Sequence, residues 1–433
     1  MQRKIYQQLL DWKSDKNKKP LIIEGARQIG KTYIVNMFAK KEYKNSIYIN
    51  FELDESWSSI FDNLNPDDIL NQIKSISKID IIPNETLIIF DEIQKSEKAI
   101  NSLKYFCENK KDIDIIALGS LLGIAVNREH FSFPVGKVNL LRMYQLDFEE
   151  FLRAMGEEEK ISIIKECYEK FIPINDMLHK QLLDLYRKYL YIGGMPEVVK
   201  SYIETDDLKM ARIKQDEIIN TYARDMAKYN SKTEHSKTLL TYDSIVINLA
   251  KENKKFMYSN IKSTARAKDY ENATEWIELA GIGKKIYCIK QVKVPLEAYK
   301  DREVFKFYIN DTGLLSSKAK IMYEEIMNED DIFSDFKGGL AENYIVSQLL
   351  MNTDELYYYK DDKNIEIDFI IKENSDIIPI EVKAGKRTKS NSLNNYIQKY
   401  NPKYAIRLSM KNFGFENNIK SIPLYAAFCI KER

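Results

Sequence analysis

Two groups of residues in this chain have types and spacing that could do chemistry. The first is Gly25-Ala26-Arg27-Gln28-Ile29-Gly30-Lys31-Thr32, which follows the spacing G-x-x-x-x-G-K-T between the apolar run Leu21-Ile22-Ile23 and an amphipathic stretch. Glycines at those positions let successive backbone N–H groups curl around phosphate oxygens, and the start of the following helix adds its positive dipole end. In such a loop Lys31 reaches the β- and γ-phosphates of ATP and the Thr32 hydroxyl ligates Mg²⁺, so Gly25 through Tyr33 are the expected nucleotide contacts. Further along, Leu87-Ile88-Ile89-Phe90 runs into Asp91-Glu92, two carboxylates at the end of a buried parallel-type strand. Asp91 is expected to hold the Mg²⁺ shell, and Glu92 to act as the base that orients the attacking water. A later strand ends in Gly119-Ser120, where Ser120 reads either as a polar contact near the γ-phosphate or as part of an ordinary turn.

The second group lies near the end of the chain, in "IEIDFIIKENSDIIPIEVKAG". Asp368 sits on one apolar strand and Glu381-x-Lys383 on the next, and residues i and i+2 of a strand project to one face. Carboxylates suit Mg²⁺, a hard cation, which would activate water while Lys383 positions the nucleophile or neutralises charge. Glu342, on the preceding helical stretch, could complete the shell of Glu342, Asp368 and Glu381, and Glu366 is a further ligand on the Asp368 face. The plainer reading is a polar sheet face whose charges pair with one another. "KAGKRTKS" adds Lys386, Arg387 and Lys389, which suit a phosphate backbone or a solvated loop.

The elements that must position these groups are legible in outline. Strands and helices alternate from Pro20 to about Leu146, which predicts a parallel sheet with helices on both faces. A mostly helical stretch follows to Lys228, broken at Gly193-Gly194-Met195-Pro196, a tight turn or a hinge. Helices and then strands between Lys237 and Ser317 suggest a winged helix-turn-helix. Its helix at Ala267–Ala280 carries Asp269, Glu271, Glu275 and Glu278, which would repel phosphates and argues against base readout. From about Ile326 the order is helix, three strands, helix, strands. The expected division is 1–150, 151–230, 231–325 and 326–433.

"GARQIGKT", "LIIFDEIQ", "LGSLLGIAV", "FSFPVGKVNLLRMYQLDFEEFLRA", "YLYIGGMPEVV", "DYENATEWIELAGI", "FKFYINDTGLL" and "EVKAG" resemble successive signatures of a prokaryotic AAA-type P-loop ATPase family. The resemblance implies an α/β AAA-type core, a helical lid and a winged helix. It also matches the roles given to Lys31, Thr32, Asp91, Glu92 and Ser120. The C-terminal pattern is similar to the restriction-endonuclease-like superfamily, which implies a Mg²⁺ site at Asp368, Glu381 and Lys383. One departure stands out: many related ATPases carry Gly-Arg where this chain has Gly136-Lys137, and lysine cannot copy a guanidinium fork. Arg128, Arg142 and Arg224 are the alternative arginines.

Bulk properties narrow the classes. With 433 residues, 44% hydrophobic and 30% charged, the chain suits a multidomain globular protein. The first twenty residues lack an apolar core of signal length and no later run approaches a membrane span, so a cytoplasmic location without a membrane partner is expected. Four scattered cysteines and three scattered histidines disfavour disulfides and thiolate or imidazole metal sites. A net charge of +1 promises no general attraction to nucleic acid. The expectation is therefore an ATP- and Mg²⁺-dependent ATPase that controls a nuclease-like domain acting on DNA or another nucleic acid. The alternative is a signalling or scaffold switch whose nuclease-like fold only binds. Further copies of the chain are expected as partners in either case.

Overall fold

The computed structural model describes residues 1–126, 133–229, 231–327, 334–353, 355–362, 365–385 and 391–431. Arg128 and the basic run Lys386, Arg387 and Lys389 lie outside the described residues. The chain divides into two compact units, one made of residues 2–144 with 279–281 and the other of residues 145–278 with 282–433.

The smaller unit is built on five parallel strands: β1 (Leu21–Glu24), β2 (Asn45–Asn50), β3 (Thr86–Asp91), β4 (Asp114–Gly119) and β5 (Asn139–Arg142). Their order is β2-β3-β4-β1-β5. The isoleucine-rich runs suit a sheet covered on both faces, and every residue of β3 and β4 is buried. Ile88, Phe90 and Ile115 pack with Ile100, Leu103 and Phe106 of the helix Glu97–Asn109. Because β4 lies between β1 and β3, the loops leaving those three strands start side by side at one edge. That edge carries Gly25, Glu92 and Ser120 together. Such convergence follows from strand order alone.

The larger unit contains an eight-stranded mixed sheet: β6 (Gly283–Ile289), β7 (Lys300–Ile309), β8 (Tyr357–Lys360), β9 (Glu366–Glu373), β10 (Asp376–Lys383), β11 (Ala405–Ser409), β12 (Gly414–Glu416) and β13 (Ile419–Pro423). The order is β12-β13-β11-β10-β9-β8-β6-β7. Here the structure differs from the expected division. The β6–β7 hairpin follows the helix Ala267–Leu279 as a wing would, but β6 also pairs in parallel with β8, Tyr287 opposite Tyr357. One sheet therefore crosses the expected boundary at 325. The physical reason is the open edge of β6, whose backbone groups find partners in a strand far along the chain.

The helices expected as a lid belong to this same unit. Phe148 N–H donates to Gln348 Oε1 at 2.8 Å, the Tyr186 and Tyr344 rings meet edge to face at 4.9 Å, and His179 Nδ1 lies 2.7 Å from the Tyr425 hydroxyl. A buried aromatic pair of this geometry contributes about 1 kcal/mol beyond its burial. Gly193 and Gly194 sit in a packed junction between helices. A Cβ on Gly193, whose φ is +77°, would lie 2.2 Å from Asp311 Oδ1, and one on Gly194 would lie 1.9 Å from the Leu146 carbonyl oxygen. Gly194 N–H donates to Asp311 Oδ2 at 2.6 Å, and Leu314 N–H donates to Oδ1 at 2.9 Å. Burial still pushes the Asp311 carboxyl up to about 6 against those donors.

Among the described residues no helix is long and apolar enough to cross a membrane.

Candidate functional site

The phosphate loop leaves β1 at Gly25 and enters the helix Lys31–Glu42 through Gly30, whose φ of +90° is the left-handed region that glycine adopts at little cost. Gly25 (φ +146°) passes so close to the β5 exit that an added Cβ would lie 2.3 Å from the Met143 carbonyl oxygen. Ile34, Val35 and Phe38 bury the helix against the sheet, and this fixes where its first N–H groups point. Arg3 braces the loop from outside the motif, donating from Nη1 to the Ile29 carbonyl at 2.9 Å and from Nη2 to that of Tyr144 at 2.6 Å.

Lys31 is buried, and its ammonium donates to the carbonyls of Gly25 at 2.9 Å and Ala26 at 2.7 Å. Burial lowers its titration to about 8, while the Glu92 and Asp91 carboxylates pull the other way and Arg27 adds to the lowering. Thr32 Oγ1 donates to Asp91 Oδ2 at 2.8 Å, so the two expected Mg²⁺ holders are already in register. Asp91 Oδ1 accepts from Glu92 N–H at 2.9 Å. Tyr33 is 61% exposed.

Glu92 leaves β3 with φ +53°, an uncommon conformation for a side-chain-bearing residue, and it turns the carboxylate toward the end of β4. There Ser120 Oγ donates to Glu92 Oε2 at 3.2 Å, and Gln94 Nε2 donates to the same oxygen. Arg27 reaches the same corner: its Nε donates to Ser120 Oγ at 3.3 Å, and Nη2 lies 3.5 Å from Glu52 Oε2. Arg27, Ser120 and Glu92 thus form one hydrogen-bonded set beside Lys31 and the Thr32–Asp91 pair. The glycine cradle, the inward ammonium and the hydroxyl–carboxylate pair fit a Mg²⁺–nucleotide.

Sequence reasoning missed several partners. Tyr48 donates from its hydroxyl to Asp91 Oδ2 at 2.6 Å, and burial and that bond push its own titration up to about 12. Gln94 is part of the "DEIQ" run, but nothing in its spacing says which oxygen it meets. Of the other arginines, Arg142 pairs with Glu24 (Nε 2.9 Å, Nη2 2.7 Å) and Arg224 is exposed on the helix Leu208–Tyr229. Lys137 pairs with Glu108 at 2.7 Å.

The C-terminal acidic residues do come together, though with different company from that expected. Lys306, on β7 and 1% exposed, stands among them with Nζ 3.1 Å from Glu366 Oε1, 3.4 Å from Glu342 Oε2 and 3.7 Å from Asp368 Oδ1. Glu342 also takes Lys254 Nζ at 2.9 Å and the Tyr308 hydroxyl at 2.7 Å. Burial alone would raise the Glu342 carboxyl. Lys306, Lys254 and the Tyr308 bond outweigh it and hold the group at about 2. Asp368 Oδ2 accepts from Val382 N–H at 2.8 Å, and burial with the nearby Glu342 and Glu381 raises this carboxyl to about 8. Lys383 lies 2.7 Å from Glu381 Oε1, and Lys360 lies 2.8 Å from Glu366 Oε2.

The structure places cations among the expected Mg²⁺ ligands that the sequence reading did not include: Lys254 and Lys306 on Glu342, and Lys306 beside Asp368, while Glu381 is met by Lys383. Among the described residues no group of three or more His, Cys, Asp or Glu side chains is arranged to hold a metal ion. Lys306 was written in "FKFY", a lysine among aromatics on a buried strand. Such a residue calls for a partner even when the sequence does not say which.

Comparisons with known proteins bear on the domain that carries the first group and assign no site residues. Residues 17–152 match the family model described as an AAA domain, which supports an AAA-type ATPase there. Residues 183–325 and 337–427 match two families described as domains of unknown function, DUF8612 and DUF4143. No curated protein matches the chain. Among solved structures, the Walker-type ATPase paby2304 of Pyrococcus abyssi is 13% identical with a TM-score of 0.45, covering 73% of this chain and 95% of that one. The Aeropyrum pernix ORC1 protein, solved in complex with DNA, is 11% identical with a TM-score of 0.29, covering 75% and 93%. A STAND protein with a tetratricopeptide repeat sensor from Pyrococcus horikoshii is 14% identical with a TM-score of 0.28, covering 82% of this chain and 46% of that one. None of these likenesses is close enough to assign an activity.

Proposed function

We propose that the chain is an ATP-hydrolysing switch, with nucleotide state set at residues 25–32, Asp91 and Glu92 as its input. The larger unit is proposed as a binding or scaffold output rather than a Mg²⁺-dependent nuclease. The observation that carries the first part is the corner where Lys31, the Thr32–Asp91 pair and the Glu92–Ser120 pair converge. Thr32 and Asp91 would hold Mg²⁺, which when bound neutralises phosphate charge. The backbone N–H groups of Gly25 to Lys31 bind phosphate oxygens, and protonated Lys31 turns from its carbonyl partners to the β- and γ-phosphates. Glu92, held by Ser120 and Gln94, accepts a hydrogen bond from the attacking water and orients it.

The observation behind the second part is Lys306 among Glu342, Glu366 and Asp368, an ammonium beside carboxylates that a metal ion would otherwise meet. A nuclease reading keeps one support: Asp368 and the Glu381–Lys383 pair lie on the neighbouring strands β9 and β10, as metal-dependent cleavage would require. The two readings separate in one experiment. The full chain, with ATP and either Mg²⁺ or Mn²⁺, is incubated with single-stranded, duplex and branched DNA and RNA. The scaffold reading expects no product. Cleavage that disappears in both Asp368→Ala and Lys383→Ala would overturn it in favour of the nuclease.

A further inference from the structure

In nucleotide hydrolases the arginine that meets the γ-phosphate is supplied either by the same chain or by a second one. This phosphate loop carries two cations of its own, Arg27 and Lys31. We propose that Arg27, the second residue after Gly25 in the loop, is the guanidinium that neutralises the γ-phosphate in the transition state, so that each chain carries its own. The inference rests on the ATPase reading above and adds a catalytic residue to it.

Position is the first support. Arg27 Nε donates to Ser120 Oγ at 3.3 Å, and Ser120 Oγ lies 3.2 Å from Glu92 Oε2. Glu92 marks where the attacking water is held, and water must approach the γ-phosphorus from the side opposite the leaving oxygen. A guanidinium at that corner is on the γ-phosphate side of the site, whereas Thr32 and Asp91 mark the Mg²⁺ side. Charge is the second support. Arg27 and Lys31 belong to one phosphate loop, and two cations held over one loop are stabilised when a polyanion enters between them.

Side-chain shape is the third support. The planar guanidinium can meet two phosphate oxygens at once, and a lysine at this position would lack that fork.

The test measures hydrolysis and nucleotide affinity separately for wild type, Arg27→Ala, Arg27→Lys and Glu52→Gln, with Lys31→Ala as the control for the site itself. Arg27→Ala should lower kcat by about 10³-fold, in line with other transition-state arginines. Its dissociation constant for ATP should change by no more than about fivefold, an effect confined to the transition state. Arg27→Lys should fail to restore kcat, and Glu52→Gln should leave it within about threefold. Wild-type turnover per chain should stay constant on dilution, because no second chain is needed. The proposal is overturned if Arg27→Ala turns over like wild type, if its loss lies wholly in ATP affinity, or if wild-type turnover per chain falls with dilution. Wild type that hydrolyses no more ATP than Lys31→Ala would instead overturn the ATPase reading, and the role of Arg27 with it.

Discussion

Each unit of this chain buries a lysine beside carboxylates, and the two do opposite things with it. In the five-stranded unit, Lys31 donates to the main-chain carbonyls of its own loop, and Asp91 and Glu92 are held by hydroxyls, an amide and a backbone N–H. In the eight-stranded unit, Lys306 and Lys254 lie directly on Glu342, and Lys306 also reaches Glu366 and Asp368. The first arrangement leaves its charges for a ligand to complete. The second already holds ammonium groups against its carboxylates, although Glu342 and Glu381 still push the Asp368 carboxyl upward. Carboxylates near a lysine are thus not evidence for a metal site until the ammonium groups are placed.

The largest effect that can break this contrast is on folding. Glu342→Gln removes the anion beneath the buried Lys306 and half-buried Lys254 ammonium groups, and breaking a buried pair in this way costs about 3–5 kcal/mol. Denaturant unfolding should register that loss in the midpoint. A variant as stable as wild type would show that the cluster is not the internal charge balance described here.

A smaller and more pointed change is Lys306→Met. It should destabilise the fold by about 3 kcal/mol by leaving the acidic groups facing one another. It should also create a dependence absent from wild type: without nucleotide, Mg²⁺ or Mn²⁺ should raise the melting temperature of the variant and not of the parent. If divalent ions stabilise both equally, Lys306 is not standing in for a metal. The smallest effect concerns Lys31. With its titration lowered to about 8, the ammonium is mostly charged at pH 7 and mostly neutral at pH 9. ATP affinity, followed by titration calorimetry, should therefore fall as pH rises through that value, by roughly tenfold between pH 7 and 9. An affinity that is flat or rises over that window would contradict the assignment.

The contrast also explains what could be read from the sequence. The phosphate loop is local: its glycines, Lys31 and Thr32 are contiguous, and the strand before and helix after fix their geometry. The pairing of Asp91 with Thr32 follows once β3 is recognised, because strand order brings those ends together. Lys254 and Lys306 could not be placed in the same way. They come from segments far from Glu342 in the chain, and they meet it only because β6 pairs with β8 and carries β7 into the same sheet. Strand pattern predicts a strand without naming its neighbour, and a sheet that joins two expected domains shifts every cross-strand partner. Gly193 and Gly194 tell the same story. They suit a turn, but the need for glycine comes from Asp311, more than a hundred positions away, at Gly193 and from the Leu146 carbonyl at Gly194.

ATP hydrolysis at Glu92, as proposed for the five-stranded unit, is read by steady-state turnover of the full chain with Mg²⁺, wild type beside Glu92→Gln. Wild type should turn over ATP, and the variant should lose about 10²–10⁴-fold while still binding it. Equal turnover in the two proteins, or none in either, would rule out that role for Glu92.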